Sequence, residues 1–534
     1  MADWESCYHN GEISAVLASC TEANVTEGPE LYACNVAAAT CGIAEGVNTF
    51  FLLTAATLVF MMQTGFAMLC AGSVRQKNVK NIMLKNLLDA CGGALGFYTI
   101  GFGLAYGNID GDYSTVRFVG NYNFFLTGVS GGYGLATWFF QFAFAASAAT
   151  IVAGTVAERC KMAAYLCYSM FLTGFVYPVI VHSIWAFDGF LTAFGSGEKF
   201  RGIGVIDFAG SGVVHMTGGC TALIAAIILG PRRGRFHDED GNPLDKPAEF
   251  PPHSVALQIL GTFILWFGWY GFNPGSALLI ANETSSSVAA LCAVTTTIAA
   301  ASGCVSAMFI DCILETIFTG EVSYDLTMAM NGALAGLVAV TAGCAVVNPW
   351  AAVVIGIIGG LVYYCVSKLL IALKIDDAVD AIPVHLGNGI WGMIAVGFFA
   401  DPVHTSAAYS KEIKGVFYGS GDLLANQIIA VLWIFGWVTV TMAPFFVVLK
   451  AAGMFRVDAL EEDVGLDISH HRGAAYDLTG PNKEDVEKLM EVQASRHGKV
   501  EVPKEVYEAA KNVEVENKVE KVPAQAYDDV EQVA

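Results

Sequence analysis

Eleven separate runs of mostly apolar residues constrain this chain more than any other feature. Each has the roughly 20 residues that a helix needs to cross about 30 Å of hydrocarbon. They fall near 49–71, 84–106, 134–156, 164–187, 206–229, 253–275, 288–310, 328–347, 351–372, 382–400 and 423–450. In lipid a backbone must satisfy its own N–H and C=O groups, so the predicted fold class is an all-α polytopic membrane protein with eleven transmembrane helices. Composition agrees: of 534 residues 55% are hydrophobic and 14% charged, with mean hydropathy +0.54. The net charge of −21 sits largely at the ends. Met1–Asn48 carries seven acidic and no basic residues, and Met454–Ala534 carries 19 acidic and 10 basic ones.

Basic residues mark alternate connections: Arg75, Lys77 and Lys80 after the first run, Arg159 and Lys161 after the third, GPRRGRF (Gly230–Phe236) after the fifth. Positive charge stays inside, which predicts an external N-terminus, a cytoplasmic C-terminus and, by default, the plasma membrane. Residues 1–48 then form an extracellular acidic segment, 49–452 the membrane domain, 453–480 a cytoplasmic tail segment, and 481–534 an acidic tail predicted to be disordered. Ten of the 14 cysteines lie in apolar stretches without ligand spacing and read as small core residues. Cys7, Cys20, Cys34 and Cys41 lie in the external segment, where they can pair, and Asn24 opens a glycosylation sequon. No basic stretch followed by an apolar one lies near Met1, so the first span is expected to act as its own insertion signal.

Two runs contain the same polar pair. In DFAGSGVVHMTGG (Asp207–Gly219) and DAVDAIPVHLGNG (Asp377–Gly389) an Asp is followed eight residues later by a His, His215 or His385. At about 1.5 Å per residue each imidazole lies about 12 Å beyond its carboxylate. The two helices enter from opposite faces, so both imidazoles reach the bilayer centre and can meet. GFAMLCAGS (Gly65–Ser73) and GFNPGSA (Gly271–Ala277) pair the first and sixth runs in the same way. The pattern predicts two inverted five-helix repeats plus one extra helix, with a substrate path at their interface. Ionisable residues are costly in a membrane, which singles out the two histidines. Asp207 can support function or cap the fifth helix; Asp376, Asp377 and Asp380 suit the N-terminus of the tenth.

Aromatic residues cluster near the outer ends of the third, fourth and sixth runs: Phe140 and Phe144, Trp185, and Trp269 with Phe272. The π face of Trp185 beside the Ser276 hydroxyl suits a small, hydrogen-bonding monovalent cation. At a constriction of Phe144 and Phe272 a bare ion would lose its water with no carbonyl ring to replace it. A cation that gives up a proton and crosses as a neutral molecule avoids this cost, which fits ammonium and not potassium. An unperturbed pKa of about 6.5 suits the histidines to carrying the proton.

QTGFAMLCAGSVR, NIMLKN, FLTGFVYPV, IDFAGSGVVHMTGG, GPRRGRF, GTFILWFGWYGFNPGSA and AVTAGCAVVNPWAA together carry a resemblance. From Asn48 to Asp477 the chain resembles the ammonium transporter (Amt/Mep/Rh) family in its plant-type form. The resemblance implies eleven helices and a homotrimer, joined through transmembrane faces and the C-terminal tail, with one pore per subunit. It implies an outer recruitment site of Trp185, Phe140 and Ser276 and a gate of Phe140, Phe144 and Phe272, with Gln141 beside it. Trp269 would line the pore, His215 and His385 would relay the proton, and Asp207 would support recruitment and assist deprotonation. VGLDISHHRGAAYD (Val464–Asp477) resembles the family's regulatory segment, which implies docking on a neighbouring subunit and a phosphosite for a kinase at Ser469 that shuts the pores. The chain departs from the family around the second histidine, at Pro383 and Asn388, and in having a single Trp in HSIWAFDGF.

The expected function is high-affinity, electrogenic ammonium uptake: NH4+ recruited outside, NH3 conducted, the proton relayed. The alternatives are an electroneutral NH3/CO2 gas channel, and an ammonium sensor signalling through its tail. An enzyme is not expected: His182, His215 and His385 are isolated and offer no HxxxH-type metal cluster. No cofactor and no nucleic-acid partner are expected.

Overall fold

The computed structural model describes residues 29–108, 113, 115–194, 199–238 and 240–476. Cys7, Cys20, Asn24, residues 481–534 and the side chain of Cys34 therefore lie outside the described residues. The described residues form helices α1 (Pro29–Ser73), α2 (Gln76–Tyr106), α3 (Gly131–Thr155), α4 (Met162–Trp185), α5 (Ser211–Leu229), α6 (Val255–Ala277), α7 (Glu283–Thr319), α8 (Leu326–Thr341), α9 (Pro349–Ala372), α10 (Ile382–Phe399) and α11 (Asp422–Ala451). Ten of these are long and apolar enough to cross a membrane; α8 is apolar but shorter. Two short helices follow, α12 (Ala459–Val464) and α13 (Leu466–His471).

Two bounds differ from expectation. The first helix begins at Pro29 rather than near 49, so the boundary drawn at residue 48 falls inside α1. Its 45 residues span about 68 Å at 1.5 Å per residue, roughly twice a hydrocarbon core. The Ala-rich stretch before Asn48 simply continues the helix. By contrast α8 stops after 16 residues. The segment entering α5 takes the carbonyls that would carry it on: Phe208 N donates to Ala342 O and Ala209 N to Thr341 O, and Ser211 Oγ donates to Val338 O.

Close backbone approach holds the bundle. α1 and α6 run antiparallel, so that Gly65 meets Leu265 and Gly72 meets Ser254, while Gly271 meets Ala55. A Cβ at Gly261 would lie 2.4 Å from the Leu69 nitrogen, and one at Gly336 of α8 only 2.1 Å from the Ala299 carbonyl of α7. Small residues permit this contact, which replaces the hydrophobic drive that lipid removes.

The histidine helices resemble each other in detail. Each opens with a six-residue π-helical turn, Ser211–Met216 in α5 and Ile382–Gly387 in α10. Each turn is capped by an aspartate: Asp207 Oδ2 accepts Gly212 N and Val213 N, and Asp377 Oδ2 accepts Ile382 N.

At the end of the bundle bearing Arg75 and Lys77, the basic end, a buried ion network ties loops far apart in sequence. Arg232 reaches Asp376 at 2.8 Å and Glu158 at 3.0 Å, and Arg75 also pairs with Glu158. Burial pushes both carboxyls up, but Arg159 and Arg232 hold Asp376, and Arg232 and Arg75 hold Glu158, below the usual carboxylate range.

Candidate functional site

A file of rings runs through the middle of the bundle. Trp185, at the end of α4, meets Phe144 of α3 edge-on with centroids 5.9 Å apart. Phe144 stacks on Phe272 of α6 at 4.0 Å and packs against Phe140 one turn away at 4.7 Å. Phe272 stacks on His215 at 5.4 Å, and His215 on His385 at 5.2 Å. The five rings from Trp185 to His385 thus form one continuous path, with the stacked phenylalanines closing it between the indole and the imidazoles.

The helices set this register. Phe140 and Phe144 are four residues apart on α3 and share a face. The π turns of α5 and α10 bring the imidazoles together with their Nδ1 atoms 3.2 Å apart. That contact requires one ring nitrogen to donate and the other to accept. Both histidines are buried, and His215 Nε2 has no partner among the described residues. Trp269 covers His215, stacked at 5.2 Å, and its Nε1 donates to Thr341 Oγ1 at 3.0 Å.

At the Trp185 end, the indole Nε1 donates to the Asp207 carbonyl at 2.7 Å. Ser276 lies in the 3-10 turn that ends α6, and its hydroxyl donates to the Phe272 carbonyl at 2.8 Å. With its hydrogen engaged, the Ser276 oxygen is left as an acceptor. A Cβ at Gly275 would meet a Phe140 ring carbon at 3.0 Å, so the residue before Ser276 packs directly on the ring file. The Asp207 carboxylate faces the start of α5, where Oδ1 accepts Gly210 N and Oδ2 accepts Gly212 N and Val213 N, at 2.8 to 2.9 Å. Its contact with Trp185 is through its backbone carbonyl. Gln141, next in sequence to Phe140, is buried, its Oε1 without a partner among the described residues.

Beyond His385 a narrow cavity offers about 20 Å³ to the centre of a water-sized molecule, lined by Phe66, Leu69, Ile151, Leu334 and Val384 with Thr150 and Asn331 as polar members. That is room for one small molecule. Sequence reasoning missed Phe66, 6.2 Å from the His385 ring, and Thr341. Neither differs in type from an ordinary core residue; only the position of Phe66 within GFAML pointed to it. The departures Pro383 and Asn388 contact each other: Asn388 Nδ2 donates to the Pro383 carbonyl at 3.2 Å, across the π turn that carries His385.

Three expected features lie apart from the ring file. His182 sits at the Trp185 end, its Nδ1 against the Ala105 carbonyl. Cys41 is disulfide-bonded. Ser469 lies in α13, its hydroxyl donating to Gly465 O at 2.9 Å. Within the single chain, α13 seats on the chain's own α2: the Asp467 carboxylate accepts Lys80 N and Asn81 N, Asn78 Oδ1 accepts Leu466 N, and His471 Nε2 meets Asn81 Nδ2. Burial raises the Asp467 carboxyl although these N–H groups lower it. Burial, then His470 and Lys85, lowers the His471 imidazole. No group of three or more metal-binding side chains occurs among the described residues.

The Ammonium Transporter Family profile matches residues 49–476. The sequence is 41% identical to Ammonium transporter 1 member 3 of Solanum lycopersicum, over 82% of this chain and 94% of that relative. It is 43% identical to Ammonium transporter Amt2 of Archaeoglobus fulgidus, over 80% of this chain and 88% of that one. Among solved structures, a chain described as Sensor Amt Protein matches with a TM-score of 0.69 at 33% identity, covering 80% of this chain and 99% of its own. Candida albicans Mep2 matches with a TM-score of 0.68 at 25% identity, covering 81% and 93%.

Proposed function

The chain belongs to the Ammonium Transporter Family, and from that premise we propose that it takes up ammonium with high affinity and net movement of charge. NH4+ is held outside by the Trp185 π face, the Phe140 ring and the Ser276 oxygen, where cation–π attraction and an acceptor oxygen compensate for lost water. An N–H bond of NH4+ breaks before the Phe144–Phe272 stack and the proton passes to water on the Trp185 side, because the neutral NH3 passes an apolar constriction that the cation does not. Asp207 acts there as a positioning residue, fixing the Trp185 indole through its carbonyl and the start of α5 through its carboxylate. The proton crosses on His215 and His385, while NH3 continues to the small cavity beyond them.

The observation that carries this reading is the unbroken contact from Trp185 through Phe144 and Phe272 to the paired imidazoles. It supports reading a cation site, a dry gate and a proton-transfer pair along one line. The protein works in the plasma membrane with its N-terminus outside, as a homotrimer of independent pores. The tail segment regulates them, and Ser469 is its phosphosite. A phosphate of about −1.5 to −2 charge added beside Asp467 and the acidic run Glu461–Asp463 would release α13 from α2.

Ammonium-evoked current in voltage-clamped cells tests the reading, with wild type beside His215→Ala. Expected is a saturable inward current that the variant loses or makes unselective. Ammonium accumulation without current in wild type would overturn the electrogenic mechanism and leave a gas channel.

A further inference from the structure

Asp89 lies ten residues beyond Val79, the first residue of its α-helical stretch, about 15 Å from the basic end of α2. It is fully buried, and the relay described above makes no use of it. Its Oδ2 accepts the Tyr165 hydroxyl of α4, while its Oδ1 has no partner among the described residues. Asn86 Oδ1 and Gln63 Nε2 are also buried and without a partner among the described residues. Unpaired polar atoms gathered in a dry region are where buried water is found, bridging groups that protein atoms leave unsatisfied.

This polar region adjoins the cavity beyond His385. The hydroxyls of Ser169 and Thr150 face Asp89, and Thr150 also donates to Gln63 Oε1 at 2.7 Å. Cys70 of α1 is flanked by Asn86 and Asp89. Thr150 and Cys70 both line the cavity that His385 also lines. The charged and titratable groups around Asp89 are Lys85 on its own helix, Tyr165 and Tyr168 on α4, and Cys70 on α1. Lys85, one turn nearer the basic end, is fully buried and donates to the Cys160 carbonyl at 2.8 Å.

Resting on the electrogenic reading above, we propose that Asp89 is the proton-holding group of the inner half-pore, reached from His385 through cavity water and the Thr150 hydroxyl. In the transfer an N–H bond of the His385 imidazolium breaks and an O–H bond forms on Asp89 Oδ1. The neutral imidazole is then ready for the next proton from His215. The carboxyl gives its proton back to cavity water, which carries it to the cytoplasm, and the carboxylate is restored. NH3 needs no such group and leaves through the apolar side of the same cavity.

The test is ammonium-evoked current divided by surface-labelled protein, in wild type, Asp89→Asn, Asp89→Glu and Thr150→Val. Asparagine keeps an acceptor for Tyr165 and removes the proton-holding oxygen. Current per surface transporter is expected to fall at least about tenfold in Asp89→Asn, since a positioned proton carrier contributes more than that to a transfer step. It is expected to return in Asp89→Glu and to fall in Thr150→Val, with an altered solvent deuterium isotope effect on what remains. A purely structural Asp89 would lower surface protein and current together, and wild-type current per transporter in Asp89→Asn overturns the proposal. If that variant does not reach the surface, undiminished current per transporter in Thr150→Val overturns it instead. Absence of current in wild type, with ammonium still accumulating, removes the electrogenic reading itself and this role with it.

Discussion

Replacing Asp467 by alanine tests how firmly the tail is seated. The carboxylate is fully buried and accepts Lys80 N and Asn81 N, both at 2.9 Å. These are first-turn N–H groups of a helix, which have no intrahelical acceptor. Losing a cap of this kind costs about 0.5–2 kcal/mol, and hydrogen bonds to a charged group are worth about 1.5–3 kcal/mol. Burial that raises the Asp467 carboxyl offsets part of that gain. A net loss of about 2 kcal/mol follows, roughly a 30-fold shift from seated to released tail. Amide hydrogen exchange on the full chain in detergent reads it directly. Protection at Lys80, Asn81 and along α12 and α13 should drop together by about that factor. Exchange within about threefold of wild type at both Lys80 and Asn81 would refute the argument, because neither N–H would then depend on the carboxylate.

The same contact carries a pH dependence. His471 has a lowered pKa when seated, so its contribution to seating is present above the free value of about 6.5 and is lost as pH falls through the seated value. Exchange protection of α13 should therefore weaken on acidification below neutrality, and His471→Gln should flatten that slope. Trp185→Phe keeps a ring and loses the bond to the Asp207 carbonyl; ammonium-evoked currents should show a raised half-saturation concentration with a smaller change in maximal current. Gly336→Ala places a methyl against the Ala299 carbonyl of α7 and should cost about 1–3 kcal/mol, seen as a lower unfolding temperature in detergent. Arg232→Ala leaves Glu158 and Asp376 buried with a partner removed and should cost about 3–5 kcal/mol. Surface expression and thermal unfolding would both register it.

Helix positions were legible because span length and loop charge are one-dimensional signals. The meeting of His215 with His385 was legible for a related reason: equal spacing from an aspartate, measured from opposite faces, fixes equal depth. What depended on neighbours far away in sequence was not. The early end of α8 follows from carbonyls taken by Phe208 and Ala209, more than a hundred residues upstream. The basic loops could be read as facing one side, but not their buried pairing with Glu158 and Asp376. Asp207 was ambiguous from sequence, since a buried carboxylate and a helix cap have the same signature; its three backbone donors give the cap a physical basis. Phe66 and Thr341 were invisible, being residue types that any core contains.

The wide turns under the two histidines carry a further consequence. A π turn takes up about one residue more than an α turn, so deleting a single residue from Ser211–Met216 or from Ile382–Gly387 would leave an ordinary α-helix in its place. Because the wide turn already holds the extra residue, the stretches on either side would keep nearly their mutual orientation, and the side chains inside the turn, the histidine among them, would move around the axis. The facing of the two imidazoles is thus written into backbone winding, at both turns independently. A chain of this design can change the rings along its path one substitution at a time, whereas losing a residue from either turn resets the winding that aims its histidine.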